Sequence, residues 1–179
     1  MKIQNLIEYL DQQLQAAKIK DYCPNGLQIA GKNEIKKIIC GVTASQDLID
    51  LAVAKNADAI LVHHGFFWKN EPPQITGMKQ RRIKALLGAN INLIAYHLPL
   101  DVHPIFGNNA QLAAMLGIEN LSGLEPGNPF SIPMAGTLKE PISGAELAAK
   151  IEQLLNRKPL WIDGCNKEIR KIGICSGGG

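Results

Sequence analysis

The chain has 179 residues, 46% of them hydrophobic, and carries 19 basic against 16 acidic side chains for a formal charge of +3. That length and composition bury a sizeable core in one large or two small domains, and so mild a charge gives no electrostatic footprint for nucleic acid. No stretch approaches the ~18 apolar residues of a membrane span, and residues 1–15 are too often interrupted by polar side chains for a signal peptide, so the expected location is cytoplasmic.

Ile3, Leu6, Ile7, Leu10 and Leu14 recur at helical spacing and predict an amphipathic helix near 3–17. Pro24-Asn25-Gly26 makes a turn before a short strand at 27–29. Residues 35–42 read as a strand, followed by a helix that starts at Thr43-Ala44-Ser45 and shows Leu48, Ile49, Ala52 and Val53 on its apolar face. Ala59-Ile60-Leu61-Val62 is the continuous apolar run of a buried parallel strand. A helix at 76–88, a strand at 91–96 and a helix from Asn108 or Asn109 to Leu116, closed by Gly117, complete a β-α-β-α-β-α order that predicts parallel strands.

Beyond Gly117 the pattern changes. Pro126, Gly127, Pro129 and Pro133 mark 119–133 as a connecting loop or a subdomain border, so the expected division is a first α/β half over 1–118 and a connecting segment with the start of a second half over 119–179. Ser143-Gly144-Ala145-Glu146 fits a capping box opening a helix, with short strands expected at 134–139 and 159–162. Residues 168–177 echo 34–41, an acidic-then-basic lead-in to an apolar strand, which raises an internal duplication. The sequence stops at Gly177-Gly178-Gly179 with no helix to cover that last strand, and reads as a fragment. These glycines lack the Lys-Ser/Thr of a P-loop. Cys23, Cys40, Cys165 and Cys175 form no C-x-x-C pair and read as reduced thiols.

All four histidines lie in two places, His63-His64 directly after the buried strand and His97 to His103 after the next. In an open parallel sheet both places open into the crevice beyond the carboxyl ends of the strands. Imidazole with carboxylate suits zinc, manganese, iron or nickel. Adjacent residues on a strand point to opposite faces, so His63 and His64 are expected to serve two ions about 3.5–4 Å apart, with Asp101 between them. His97 is an orienting residue, a proton shuttle or a ligand, and His103 a solvated loop histidine. Two ions need roughly eight donor contacts, more than these side chains supply. Phe67, Trp68 and Lys69 follow the His pair and offer stacking and charge to a substrate, or else pack the loop. Lys79, Arg81, Arg82 and Lys84 form a basic cluster read as a solvated face.

The chain resembles the Nif-three-like (NGG-one-interacting-factor-three) family, whose members are often labelled type 2 homologues of GTP cyclohydrolase I. The resemblance rests on five motifs in family order. They are Asn25-Gly26-Leu27-Gln28, residues 41–45, residues 57–65 ending in His63-His64-Gly65, Tyr96-His97-Leu98-Pro99-Leu100-Asp101, and residues 107–113. It implies two similar α/β halves with parallel and mixed sheets, a dinuclear site at His63, His64 and Asp101, and ring-shaped homohexamers. It also implies a further His and Glu from a C-terminal H-x-x-x-E element that this sequence does not contain. The expected activity is metal-dependent hydrolysis of a nucleotide-like or phosphorylated small molecule; the alternative is a non-enzymatic metal-bound scaffold.

Overall fold

A computed structural model describes residues 1–164 and 167–176. Cys165 and the three terminal glycines lie outside the described residues, so the readings placed on them are not met by structure. The chain divides into two compact units, one over Met1–Leu100 and one from Asp101 onward.

In the first unit a four-stranded sheet has the order β1-β4-β3-β2, with β1 at Gly26–Ile29, β2 at Ile38–Thr43, β3 at Ala59–His64 and β4 at Asn92–Ala95. β2, β3 and β4 are parallel as expected. β1 departs from that pattern: it pairs antiparallel with β4, because it precedes the first crossover and arrives at the sheet edge from the turn at Pro24. Strand alternation sorts the core into two layers. Ala59, Leu61, Ile94 and Tyr96 face α1 (Ile3–Leu14) through its Leu6 and Leu14. Ile60, Val62, Leu93 and Ala95 face Ile49 and Ala52 of α2 (Gln46–Ala54) and Ile83 and Leu86 of α3 (Gly77–Gly88). Ser45 caps α2, its hydroxyl accepting from the N–H of Leu48.

The amino-terminal rim of the sheet is tied by two buried polar side chains. Asn92, 1% exposed, donates to the carbonyls of Lys32 and Asp58 and accepts from the N–H of Gly31. Asp58 accepts from Lys32 Nζ at 2.7 Å and from the N–H groups of Lys36 and Lys37. Those bonds, the lysine first, hold its carboxyl down to about 2.

The single turn α4 (Leu98–Asp101) carries the chain into the second unit. There α5 (Asn108–Leu116), ended by Gly117 at φ 70°, and α6 (Gly144–Leu155), opened by the expected capping box, accompany an antiparallel sheet in the order β5-β6-β7. Its strands are β5 (Ile118–Gly123), β6 (Met134–Ile142) and β7 (Ile169–Ile174). Two readings are corrected. The start of the presumed loop is β5, whose alternation is broken by Asn120 at φ 55° and a register shift between Glu119 and Ser122. Residues 159–162 form no strand, and Leu160 and Ile162 are exposed. In the second unit α5 packs against β5. The echoing segments also pair differently, β2 parallel to β3 and β7 antiparallel to β6.

Asp58 generates a prediction with a defined sign. Its folded pKa lies below the unfolded value of 3.8, so its contribution is full above that pH and is lost as pH falls from 3.8 to about 2. Asp58→Asn can keep one oxygen toward both the Lys36 and Lys37 N–H groups, but it turns its NH₂ toward Lys32 Nζ and loses the charge that all three donors face, so it destabilises the fold by about 1–3 kcal/mol at neutral pH. In urea titrations the variant also shows a shallower loss of stability than the parent across that acid window.

Candidate metal centre

β3 and β4 are paired in register up to Val62 and Ala95, so residues 63–64 at the end of β3 and 96–97 just beyond β4 lie at the same level. Three imidazoles gather there. The ring centroids of His63 and His64 are 4.5 Å apart, those of His63 and His97 5.0 Å, and those of His64 and His97 5.6 Å. One ligand nitrogen or more from each lies within 4.8 Å of the others. The expectation that His63 and His64 diverge to opposite faces is therefore corrected. His64 is the last residue of β3, and a side chain at a strand terminus is no longer held apart from its neighbour by the pleat.

Hydrogen bonds set which nitrogen of two rings holds the lone pair. His63 Nδ1 is 3.0 Å from the carbonyl oxygen of Tyr96. A carbonyl only accepts, so Nδ1 carries the proton and Nε2 is the basic nitrogen. His97 Nδ1 is 2.8 Å from Asp21 Oδ1, with the same consequence for a carboxylate partner. His64 Nδ1 is 3.3 Å from Thr43 Oγ1, a hydroxyl that serves either tautomer. Three imidazoles, at least two of them tied through Nδ1 to an acceptor, are the donor set that a divalent transition metal takes. The residues present fit such an ion.

Asp21 escaped the sequence reading. Its side chain is 3% exposed. Oδ1 accepts from His97 and from the N–H of Tyr22, while Oδ2 accepts from Asn25 Nδ2 and the N–H of Leu98. Burial works against its charge, yet these bonds outweigh burial and hold the carboxyl at about 2. Asp21, Cys23 and His97 also form a group compact enough for a metal. The thiol argues against it, because burial and the neighbouring Asp21 charge push Cys23 up to about 11, and the carboxylate already accepts four hydrogen bonds. That group supports His97.

The Asn25–Gln28 motif is a second support. Asn25 Oδ1 accepts the N–H of His97 at 2.8 Å. The Gln28 amide grips the backbone after the His pair, its oxygen accepting from Phe66 N–H at 2.7 Å and its nitrogen donating to the Phe66 carbonyl. Tyr96, whose carbonyl holds His63, is itself anchored to α1 by a 2.6 Å bond from its hydroxyl to Asp11.

Of the residues after the pair, Trp68 stands edge-on to His97 at 5.0 Å and lies 5.9 Å from His64. Phe67 takes a left-handed conformation at φ 67°, which turns the chain back and brings Trp68 to the cluster. The Phe67 ring packs against the core, with Lys79 Nζ 5.0 Å from its centroid and paired to Glu71 at 3.1 Å. Lys69 is exposed, and its N–H donates to the carbonyl of Tyr22. His103 caps its own turn, Nδ1 accepting from Ile105 and Phe106. Asp101, 3% exposed, belongs to the second unit and accepts from Asn108 Nδ2 at 2.6 Å.

A model of the Duf34/NIF3 (NGG1p interacting factor 3) family matches residues 1–179. A Haemophilus influenzae protein named GTP cyclohydrolase 1 type 2 homolog is 63% identical over 97% of this chain and 69% of its own length. The solved structure of protein ybgI, described as of unknown function, aligns with a TM-score of 0.93 at 50% identity, over 100% of this chain and 71% of its own. A Thermus thermophilus crystal structure, TTHA1606, gives 0.82 at 31% identity over 95% and 68%.

Gly65, immediately after the His pair, has no room for a side chain. A methyl there meets Gln28 Cδ at 2.7 Å and Ala95 Cβ at 2.8 Å. Gly65→Ala is expected to cost about 1–3 kcal/mol of stability by overpacking, read by chemical denaturation.

Proposed function

This chain belongs to the Duf34/NIF3 family, and from that premise we propose that it binds divalent metal at the cluster of His63, His64 and His97 and acts as a metal-dependent hydrolase on a nucleotide-like or phosphorylated small molecule. One observation carries the reading: three imidazoles whose ligand atoms lie within 4.8 Å of one another at the carboxyl ends of two parallel strands. Bound divalent ions supply a water of lowered pKa and polarise the group under attack. Trp68 offers an aromatic face beside the cluster for a base or other flat ring, and Lys69, exposed next to it, offers charge to a phosphate. His97 is proposed as a ligand or as the group that moves the proton, acting in either role through Nε2. Asp101 enters as a carboxylate ligand from the sequence and the family resemblance alone, as do the count of two ions, the homohexamer and the cytoplasmic location. Among the described residues no helix is long and apolar enough to cross a membrane.

The name carried by the relatives makes GTP the first substrate to try. The chain, loaded separately with Mn²⁺, Zn²⁺ or Fe²⁺, is assayed for metal content and against a panel of nucleotides and phosphoesters, alongside His97→Ala. Metal uptake with turnover abolished by chelation is the expected result. His97→Ala lowers uptake and turnover together if the ring is a ligand, and turnover alone if it moves the proton. Uptake without turnover on any substrate replaces the hydrolase with a metal-bound scaffold, and the absence of uptake removes the metal reading.

A further inference from the structure

We propose that Asp21 is the positioning residue that fixes the tautomer of His97, and so decides whether its Nε2 can act at the histidine cluster. The inference rests on reading that cluster as a cation site, and it assigns a role to a residue outside the His-His and His-Leu-Pro-Leu-Asp motifs.

The geometry is that of a buried acceptor surrounded by donors. The two oxygens of Asp21 face four N–H groups, from His97 Nδ1 and Tyr22 on one side and from Asn25 Nδ2 and Leu98 on the other. A carboxylate satisfies all four. A neutral imidazole has one donor and one acceptor nitrogen, and here the donor is committed to Asp21. The backbone N–H of His97 is held separately by Asn25, so the ring is fixed at both ends of the residue.

An isosteric amide exposes the dependence. Asparagine at 21 offers one oxygen and one NH₂ in place of two oxygens. With its oxygen toward His97, the NH₂ confronts two donors, Asn25 Nδ2 and the N–H of Leu98, a residue that is buried. With its oxygen toward those two, the NH₂ confronts the N–H of Tyr22, at an exposed residue, and His97 Nδ1. Only the second orientation lets water relieve the leftover donor, so it prevails. His97 Nδ1 then accepts, its proton moves to Nε2, and the lone pair no longer serves the cluster. An aspartate that sets imidazole orientation and tautomer in this way is a known device in hydrolytic sites.

The test uses the metal-free full chain first. Nitrogen-15 spectra of the imidazoles are expected to show His97 protonated at Nδ1 in the parent, protonated at Nε2 in Asp21→Asn, and unchanged in Asn25→Ala, which loosens the same segment but keeps the carboxylate. Zn²⁺ affinity by calorimetry falls about 10–100-fold in Asp21→Asn. A parent His97 protonated at Nε2 overturns the proposal, as does an Asn25→Ala variant that inverts the tautomer equally, or an Asp21→Asn variant that keeps both tautomer and affinity. If the parent takes up no Zn²⁺, the metal reading fails by itself and the tautomer spectra alone decide the role of Asp21; if Asp21→Asn does not fold, the parent spectrum decides it.

Discussion

The parallel register between β3 and β4 is the constraint on which the rest of the first unit depends. It runs from Ala59 opposite Asn92 to Val62 opposite Ala95, and it is pinned at the start by the Asn92 amide bonded to the carbonyls of Asp58 and Lys32. Because side chains alternate along a strand, a slip of one residue would move Leu93 and Ile94 to the wrong layers. It would also separate His63 from the Tyr96 carbonyl and from the His97 ring. The polar lock at one end of the strands thus sets the geometry of the imidazoles at the other, through the apolar packing of Ile60, Val62, Leu93 and Ala95 between them.

A second layer holds what the strands deliver. The segment from Asp21 to Gln28 lies outside the three parallel strands, yet its side chains grip both loops of the cluster: Asp21 and Asn25 at His97, and Gln28 at Phe66. Keeping Asp21 ionised while 3% exposed is costly without partners, and the four donors that offset that cost also order residues 21–25 and the start of α4. The support and the site are therefore one hydrogen-bonded unit, and they should loosen together.

Much of this was legible in the sequence. The apolar runs at 59–62 and 91–96 marked buried strands, Ser45 and the Ser143–Glu146 capping box marked helix starts, and the grouping of all histidines after two strand ends marked the cluster. The family resemblance is also borne out, since the family model matches the whole chain. What stayed hidden was non-local. β5 carries a left-handed Asn120 and a bulge, which erase the period-2 signal. The facing of His63 and His64 depends on β3 stopping at His64, a boundary that pattern alone does not fix to one residue. Asp21 sits in a polar turn, 76 residues before its imidazole partner, and no local rule distinguishes it from any other turn aspartate. The Asn-Gly-Leu-Gln motif was noticed, but its function as a clamp appears only when β1 is laid against β4.

The most direct test of the central claim is a crystal structure of this chain soaked in Zn²⁺ or Mn²⁺, with the ion located by its anomalous scattering. The account predicts an ion contacted by ring nitrogens of His63 and His64 at about 2.0–2.1 Å for zinc, Nε2 serving for His63, with His97 Nε2 turned toward the ion or bound to it. An ion bound elsewhere with these three rings unchanged, or no ion at millimolar soaking concentration, would contradict it.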